Sequence, residues 1–317
     1  KMAISKYENG KSMPNSTVLI SLAKALNVSV EYFFRPSVFS VESIHFRKKA
    51  SLPQKKISSL KEVISDFAER YIEIEDICAV ENPFAYSDYK GIKQKEDVLN
   101  AALKIRQSWN LGQDGIVNII ELLEEHGIKV LEIEAPAKFD GLSTIINEKH
   151  PIIVLNKDFS SERKRFTALH ELGHIVLQFD DSIEEKEQES LCNAFANEML
   201  IPQSAFVKQL GSSRHDISYV ELQSMQKQFG ISCDALMFKA KDLGVISEQR
   251  YQYYCIKKNK NRKFKELVES SHYPIESSMR FERLVFRALS DALISYSKAS
   301  SLLGKSLEMI RRKAALV

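Results

Sequence analysis

Cysteine is sparse in this sequence. Four are scattered over 317 residues (Cys78, Cys192, Cys233 and Cys255) with no CxxC pair. That excludes a disulfide scaffold and fits reduced thiols in a cytoplasmic protein. Long apolar runs are missing too. None nears the roughly 18 residues a bilayer span needs, and the longest, such as Ile152–Leu155, read as short strands. No membrane partner is therefore expected. Phosphate-cradling loops are absent: there is no GxxxxGK[ST], and no GxGxxG follows a strand. The chain opens with no signal-peptide pattern and shows neither internal repeats nor low-complexity tracts. What remains is an ordinary globular composition, 44% hydrophobic and 27% charged. Its length suggests about two domains.

Charge is segregated along the chain. The net charge is only +3, yet residues 1–65 carry +7, residues 246–317 carry +8 and the middle carries −12. Basic ends favour a polyanionic partner through counterion release. Solvated surface charge is the plainer alternative.

Periodicity predicts a mostly helical α+β chain with a small sheet. Met2–Tyr7 reads as a helix ended by a left-handed Gly10. Val18, Leu19, Leu22, Ala23 and Leu26 give a second helix, and Val28–Phe34 a short third. Residues 37–60 read as a linker, with strand character over Val41–Phe46. Helices are expected over Leu60–Ile77, Lys95–Trp109 and Ile116–His126, the last stopped by Gly127. Three strand-like runs follow, at Ile128–Ile133, Leu142–Ile146 and Ile152–Leu155. A long helix, Glu162–Gln178, leads through an acidic loop, Asp180–Glu187, to a helix over Glu189–Leu200. The rest reads as several helices. The domain plan is 1–36, 37–90 (linker and connecting helix), 91–245 and 246–317.

The strongest chemical signal is His170-Glu171-Leu172-Gly173-His174 inside an amphipathic helical run. Positions i and i+4 share a helix face, so two imidazoles can meet one zinc ion, with Glu171 placed to take a proton from its bound water. Zinc would lower that water's pKa toward roughly 7. A third ligand is required. Glu189, on the next predicted helix, is the candidate and Glu198 its rival. The two lie nine residues apart, or 2.5 turns, so only one can face the site. Glu189 is favoured because Leu191, Ala194 and Phe195 read as a buried shoulder around it. Asn193, one turn beyond Glu189, can hydrogen-bond a ligand histidine and fix its tautomer. Cys192 reads as a small buried hydrophobe rather than a ligand. Arg163, Lys164 and Arg165 read as an exposed charged first turn. His215 and Tyr219 read as a surface histidine and a packing tyrosine, with oxyanion stabilisation as the sharper alternative.

These residues carry a resemblance. The stretch Arg163–His174, the run Glu189–Pro202 and the strand Ile152–Asn156 are similar to ImmA/IrrE-type metallopeptidases over roughly residues 95–240. The resemblance implies a thermolysin-like zincin core, zinc held at His170, His174 and Glu189 (a gluzincin-like HExxH…E set), Glu171 as catalytic base and a protein substrate of repressor type. The segment Ile4–Lys11, with Pro14 and Leu22–Val30, resembles the second half of an XRE/Cro-type helix-turn-helix. A partial DNA-binding motif is thus expected over 1–36, with Lys1, Met2, Ser5 and Lys6 where base and phosphate contacts fall. The stretch Phe281–Gly304 also occurs in longer relatives that join the two modules. It reads as two helices about Gly304, the second basic over Lys305–Arg312, either as a plain bundle or as a second DNA reader.

Two functions follow. One is a cytoplasmic zinc endopeptidase coupled to transcriptional regulation, cleaving a repressor by attack of zinc-bound water. The other is a DNA-binding regulator whose metallopeptidase-like domain senses or holds a partner without significant proteolysis.

Overall fold

The apolar run Ile152–Leu155 sits at the centre of the sheet that positions the site. In the computed structural model, which describes residues 2–26, 30–34, 54–81, 84 and 89–315, contacts divide the chain into two units. One takes in described residues of 1–40, 66–81 and 280–317, the other those of 41–65 and 82–279. Among the described residues no helix is long and apolar enough to cross a membrane.

The first unit begins with α1 (Met2–Glu8) and α2 (Ser16–Leu26), followed by a 3-10 turn, Val30–Phe34. Gly10 closes α1 with φ of 65°, as its lack of a Cβ permits. Asn15 Oδ1 opens α2 by accepting the Val18 N–H at 3.0 Å. The expected strand over Val41–Phe46 lies outside the described residues. Helix α3 (Gln54–Ile77) starts six residues earlier than its apolar pattern. Its second half packs Tyr71 and Ile74 against Leu284, Val285 and Ala288, with Ala299, Leu302 and Ile310 closing the core. The helices of this C-terminal part are α13 (Arg280–Ser290), α14 (Tyr296–Leu303) and α15 (Leu307–Ala314).

The second unit is α+β. Strand β1 (Tyr89–Ile92) precedes α4 (Lys95–Ser108) and α5 (Ile119–Glu125); β2 (Lys129–Ile133), β3 (Gly141–Ile146) and β4 (His150–Asn156) follow. These three form a sheet in the order β2-β4-β3. β4 lies parallel to β2, with Val130 opposite Ile153, and antiparallel to β3, with Ser143 opposite Ile153. The β3–β4 turn uses Asn147 and Glu148 at positive φ. Being central, β4 is apolar on both faces, and Ile152 to Leu155 are fully buried.

Helix α6 (Ser161–Val176) lies against this sheet. The expected helix ran to Gln178, but Leu177–Phe179 turns out as β5, parallel to β1. Helix α7 (Glu185–Leu200) also differs, because Glu185 and Glu187 form its first turn rather than a loop. Carboxylates there offset the positive end of the helix dipole. The remaining helices of the unit are α8 (Gln203–Leu210), α9 (Tyr219–Phe229), α10 (Cys233–Asp242), α11 (Glu248–Lys260) and α12 (Arg262–Glu269). They share one apolar core with α4 to α7.

Candidate metal centre

Helix α6 delivers His170 and His174 to one side, one turn apart, with their Nε2 atoms 3.2 Å from each other. Both rings are buried. Helix α7 crosses close by, because residue 173 is glycine. A Cβ there would sit 3.2 Å from Cys192 Sγ and 3.3 Å from Phe195 Cδ1. Cys192 is thus a buried packing group, and Leu191 and Phe195 form the expected apolar shoulder.

That close approach brings Glu189 to the rings. Its carboxylate oxygens lie 3.4 Å from His170 Nε2 and 3.2 Å from His174 Nε2. The three ligand atoms lie within 4.8 Å of one another, the group among the described residues suited to a metal ion. Tetrahedral zinc with nitrogen ligands at about 2.0–2.1 Å separates its donors by about 3.3 Å, and the observed spacings of 3.2, 3.4 and 3.2 Å fit it. His170 Nδ1 stands 2.9 Å from Asn193 Oδ1. An amide oxygen accepts, so Nδ1 donates and the Nε2 lone pair is left facing the other donors.

Glu171 is 2% exposed and points to the sheet, where it accepts a hydrogen bond from Ser143 Oγ at 2.8 Å. Ser143 is fully buried on β3, an edge strand of its sheet. Sequence reasoning missed this serine. It lies in an ordinary strand run, and only the packing of β3 on α6 assigns it a partner.

The rival carboxylate faces away. Glu198 Oε2 accepts from Lys239 Nζ at 2.8 Å, and Oε1 accepts the Gln203 N–H at 2.8 Å. Both side chains of this ion pair are almost fully buried, at 3% and 4% exposed. Burial pushes the Lys239 pKa down, and Glu198 opposes that shift.

The first-turn cations of α6 overturn an expectation. Arg163 is exposed and pairs with Asp140 at 2.6 Å, but Lys164 and Arg165 are buried. Lys164 reaches Glu132 at 2.7 Å. Arg165 pairs with Glu276, donates to Ile116 O and Phe229 O at 2.7 and 3.1 Å, and stacks over Tyr273. Their partners come from distant segments, so a local pattern could not show the burial. His215 is exposed. Tyr219 packs against the core and donates its hydroxyl to Leu267 O at 3.2 Å. Of the candidate DNA contacts, Lys1 lies outside the described residues, as does the side chain of Met2. Ser5 and Lys6 are exposed on α1.

Residues 123–241 match the IrrE N-terminal-like peptidase domain. That IrrE-like segment contains all three donors, Glu171, Ser143 and Asn193. Residues 1–33 match a helix-turn-helix family. A similar protein is the radiation response metalloprotease IrrE of Deinococcus radiodurans, 35% identical over 74 residues, which is 20% of this chain and 23% of that protein. The match thus spans under a quarter of that relative's length. The chain joins a metallopeptidase-like segment to a helix-turn-helix segment, the layout of a metallopeptidase-like regulator.

Proposed function

We propose that this chain is a zinc-dependent endopeptidase coupled to transcriptional regulation, acting on a repressor-type protein through a peptidase part spanning residues 91–245. The observation that carries the reading is the convergence of His170, His174 and Glu189 beside a buried carboxylate, Glu171. His170, His174 and Glu189 would hold the zinc, with Asn193 keeping His170 in the ligating tautomer. Bound zinc would supply Lewis acidity, polarising a peptide carbonyl and acidifying water.

Glu171 is the proton carrier. It is anchored at one oxygen by Ser143, which leaves the other to accept a proton from the attacking water and pass it to the leaving amine. Ser143 holds that carboxylate in place through this hydrogen bond. The buried surroundings of Glu171, His170 and His174 exclude bulk water and strengthen each of these interactions.

Expression of wild type and Glu171→Gln in the same cells, followed by sequencing of new protein N-termini, tests the activity. A cleavage present with wild type and absent with Glu171→Gln supports it. Equal patterns overturn it. The helix-turn-helix match favours a second reading, in which the metal domain binds a partner without cutting it. Capture of a partner by both proteins with no new N-terminus would support that version.

A further inference from the structure

Outside residues 1–33, two C-terminal helices of the first unit are joined by a short turn. Helix α14 is opened by Ser295 and ends at Gly304 in the left-handed conformation, φ 62°. A three-residue turn, Gly304-Lys305-Ser306, leads into α15, opened by the Ser306 side chain. The turn is knitted by the Lys305 N–H donating to Ser300 O at 3.2 Å and Ser300 Oγ donating to Lys305 O at 2.6 Å. Two short helices about a glycine-bearing turn of this length are compatible with a DNA-reading arrangement.

The orientation of α15 is fixed from three points. Ile310 is its buried residue. Lys305, before the helix, and Lys313, in its last turn, both pair with Glu282 of α13. On a helix anchored through position 310, Glu308 and Arg312 fall on the opposite face, flanked by Met309 and Arg311. All four are exposed. Among the described residues neither Arg311 nor Arg312 has an acidic partner. Residues 280–315 hold eight Lys/Arg against three Asp/Glu. A helix kept only to cover the core does not require an outward pair of unneutralised guanidiniums.

We propose that α14 and α15 dock on double-stranded DNA, with Arg311 and Arg312 on backbone phosphates and Met309 and Glu308 toward base edges. The occupant follows from charge: phosphates offer the anions these guanidiniums lack, and Arg binds them bidentately. Exposed Met309, at 38%, suits apolar contact with a thymine methyl. The inference does not depend on the endopeptidase reading, since it concerns another unit.

The test is fluorescence anisotropy of the full chain with a labelled mixed-sequence duplex of about 24 base pairs, between about 50 and 200 mM salt. Removing two phosphate contacts with R311A/R312A should flatten the slope of log K against log salt by about 1.8. R311K/R312K should keep that slope, because lysine still neutralises phosphate. Lys6→Ala reports separately on the N-terminal motif and should alter binding independently of the double variant. Unchanged circular dichroism of R311A/R312A keeps a folding defect out of the comparison. No duplex binding at the lowest salt, or an unchanged slope and affinity in R311A/R312A, overturns the proposal. Loss of binding to a protein partner alone would do the same.

Discussion

Glu189 and Glu198 sit on opposite faces of one helix and serve opposite ends: the first meets the imidazoles of His170 and His174, the second the ammonium of Lys239. Two substitutions of the same type therefore separate metal binding from stability. Glu198→Ala strands a buried cation and should cost about 3–5 kcal/mol in urea unfolding, with bound metal unchanged in the folded protein. Glu189→Ala, on a partly exposed carboxylate, should lose metal by elemental analysis with little change in the unfolding midpoint. The reverse outcome would exchange their roles.

Asn193→Ala tests the hydrogen bond behind the ligand. The imidazole of His170 would lose the acceptor that fixes its tautomer. Zinc affinity in competition with a chelator should fall by about 10–100-fold. Asn193→Asp should restore it, since a carboxylate also accepts from Nδ1.

Ser143→Ala leaves Glu171 ionisable but without its anchor. Cleavage should weaken, because the carboxylate that carries the proton is no longer held in place. Glu171→Gln should be the more severe change, by about 10²–10⁴-fold in rate. Equal metal content in both variants separates this effect from ligand loss.

Gly230 ends α9 in the left-handed conformation, φ 60°, and a Cβ there would collide with the guanidinium of Arg165. Gly230→Ala should destabilise the second unit by about 2–3 kcal/mol, through backbone strain and displacement of a buried guanidinium. A shifted urea midpoint with an unchanged m-value would show it.

Asp180 precedes α7 and is held at a pKa of about 2 by the hydroxyl and N–H of Ser182 and by Lys93. Its folded pKa lies below the ordinary carboxylate value. The stability it lends is present above that value and drains away as pH falls toward about 2. The difference in thermal midpoint between wild type and Asp180→Asn should therefore shrink between about pH 4 and pH 2.

Much of this site could be read before any coordinates. Histidines at i and i+4 fix a helix face, the phase between Glu189 and Glu198 allows only one of them to face it, and the apolar residues beside Glu189 favoured that one. Strands β2, β3 and β4 were bounded to within two residues by their apolar runs and turn residues. Tertiary partners were illegible. Strand β1, Tyr-Lys-Gly-Ile, has no strand signature and gains one only by pairing with β5. The Arg163-Lys164-Arg165 run resembles a solvated surface because charge is counted locally, whereas Arg165 is satisfied by groups from the loop before α5, from α9 and from the segment before α13. Ser143 belongs to the same class.

The hydrogen at position 173 has a consequence for tuning. Because no methyl group stands between the two ligand-bearing helices, the width of the donor triangle is set by backbone approach before any cation arrives. If these three residues hold a metal as proposed, grip on it would be graded from outside them. A bulkier neighbour at Cys192 or Phe195 would prise the triangle open by tenths of an ångström, loosening the ion while every ligand stayed in the sequence.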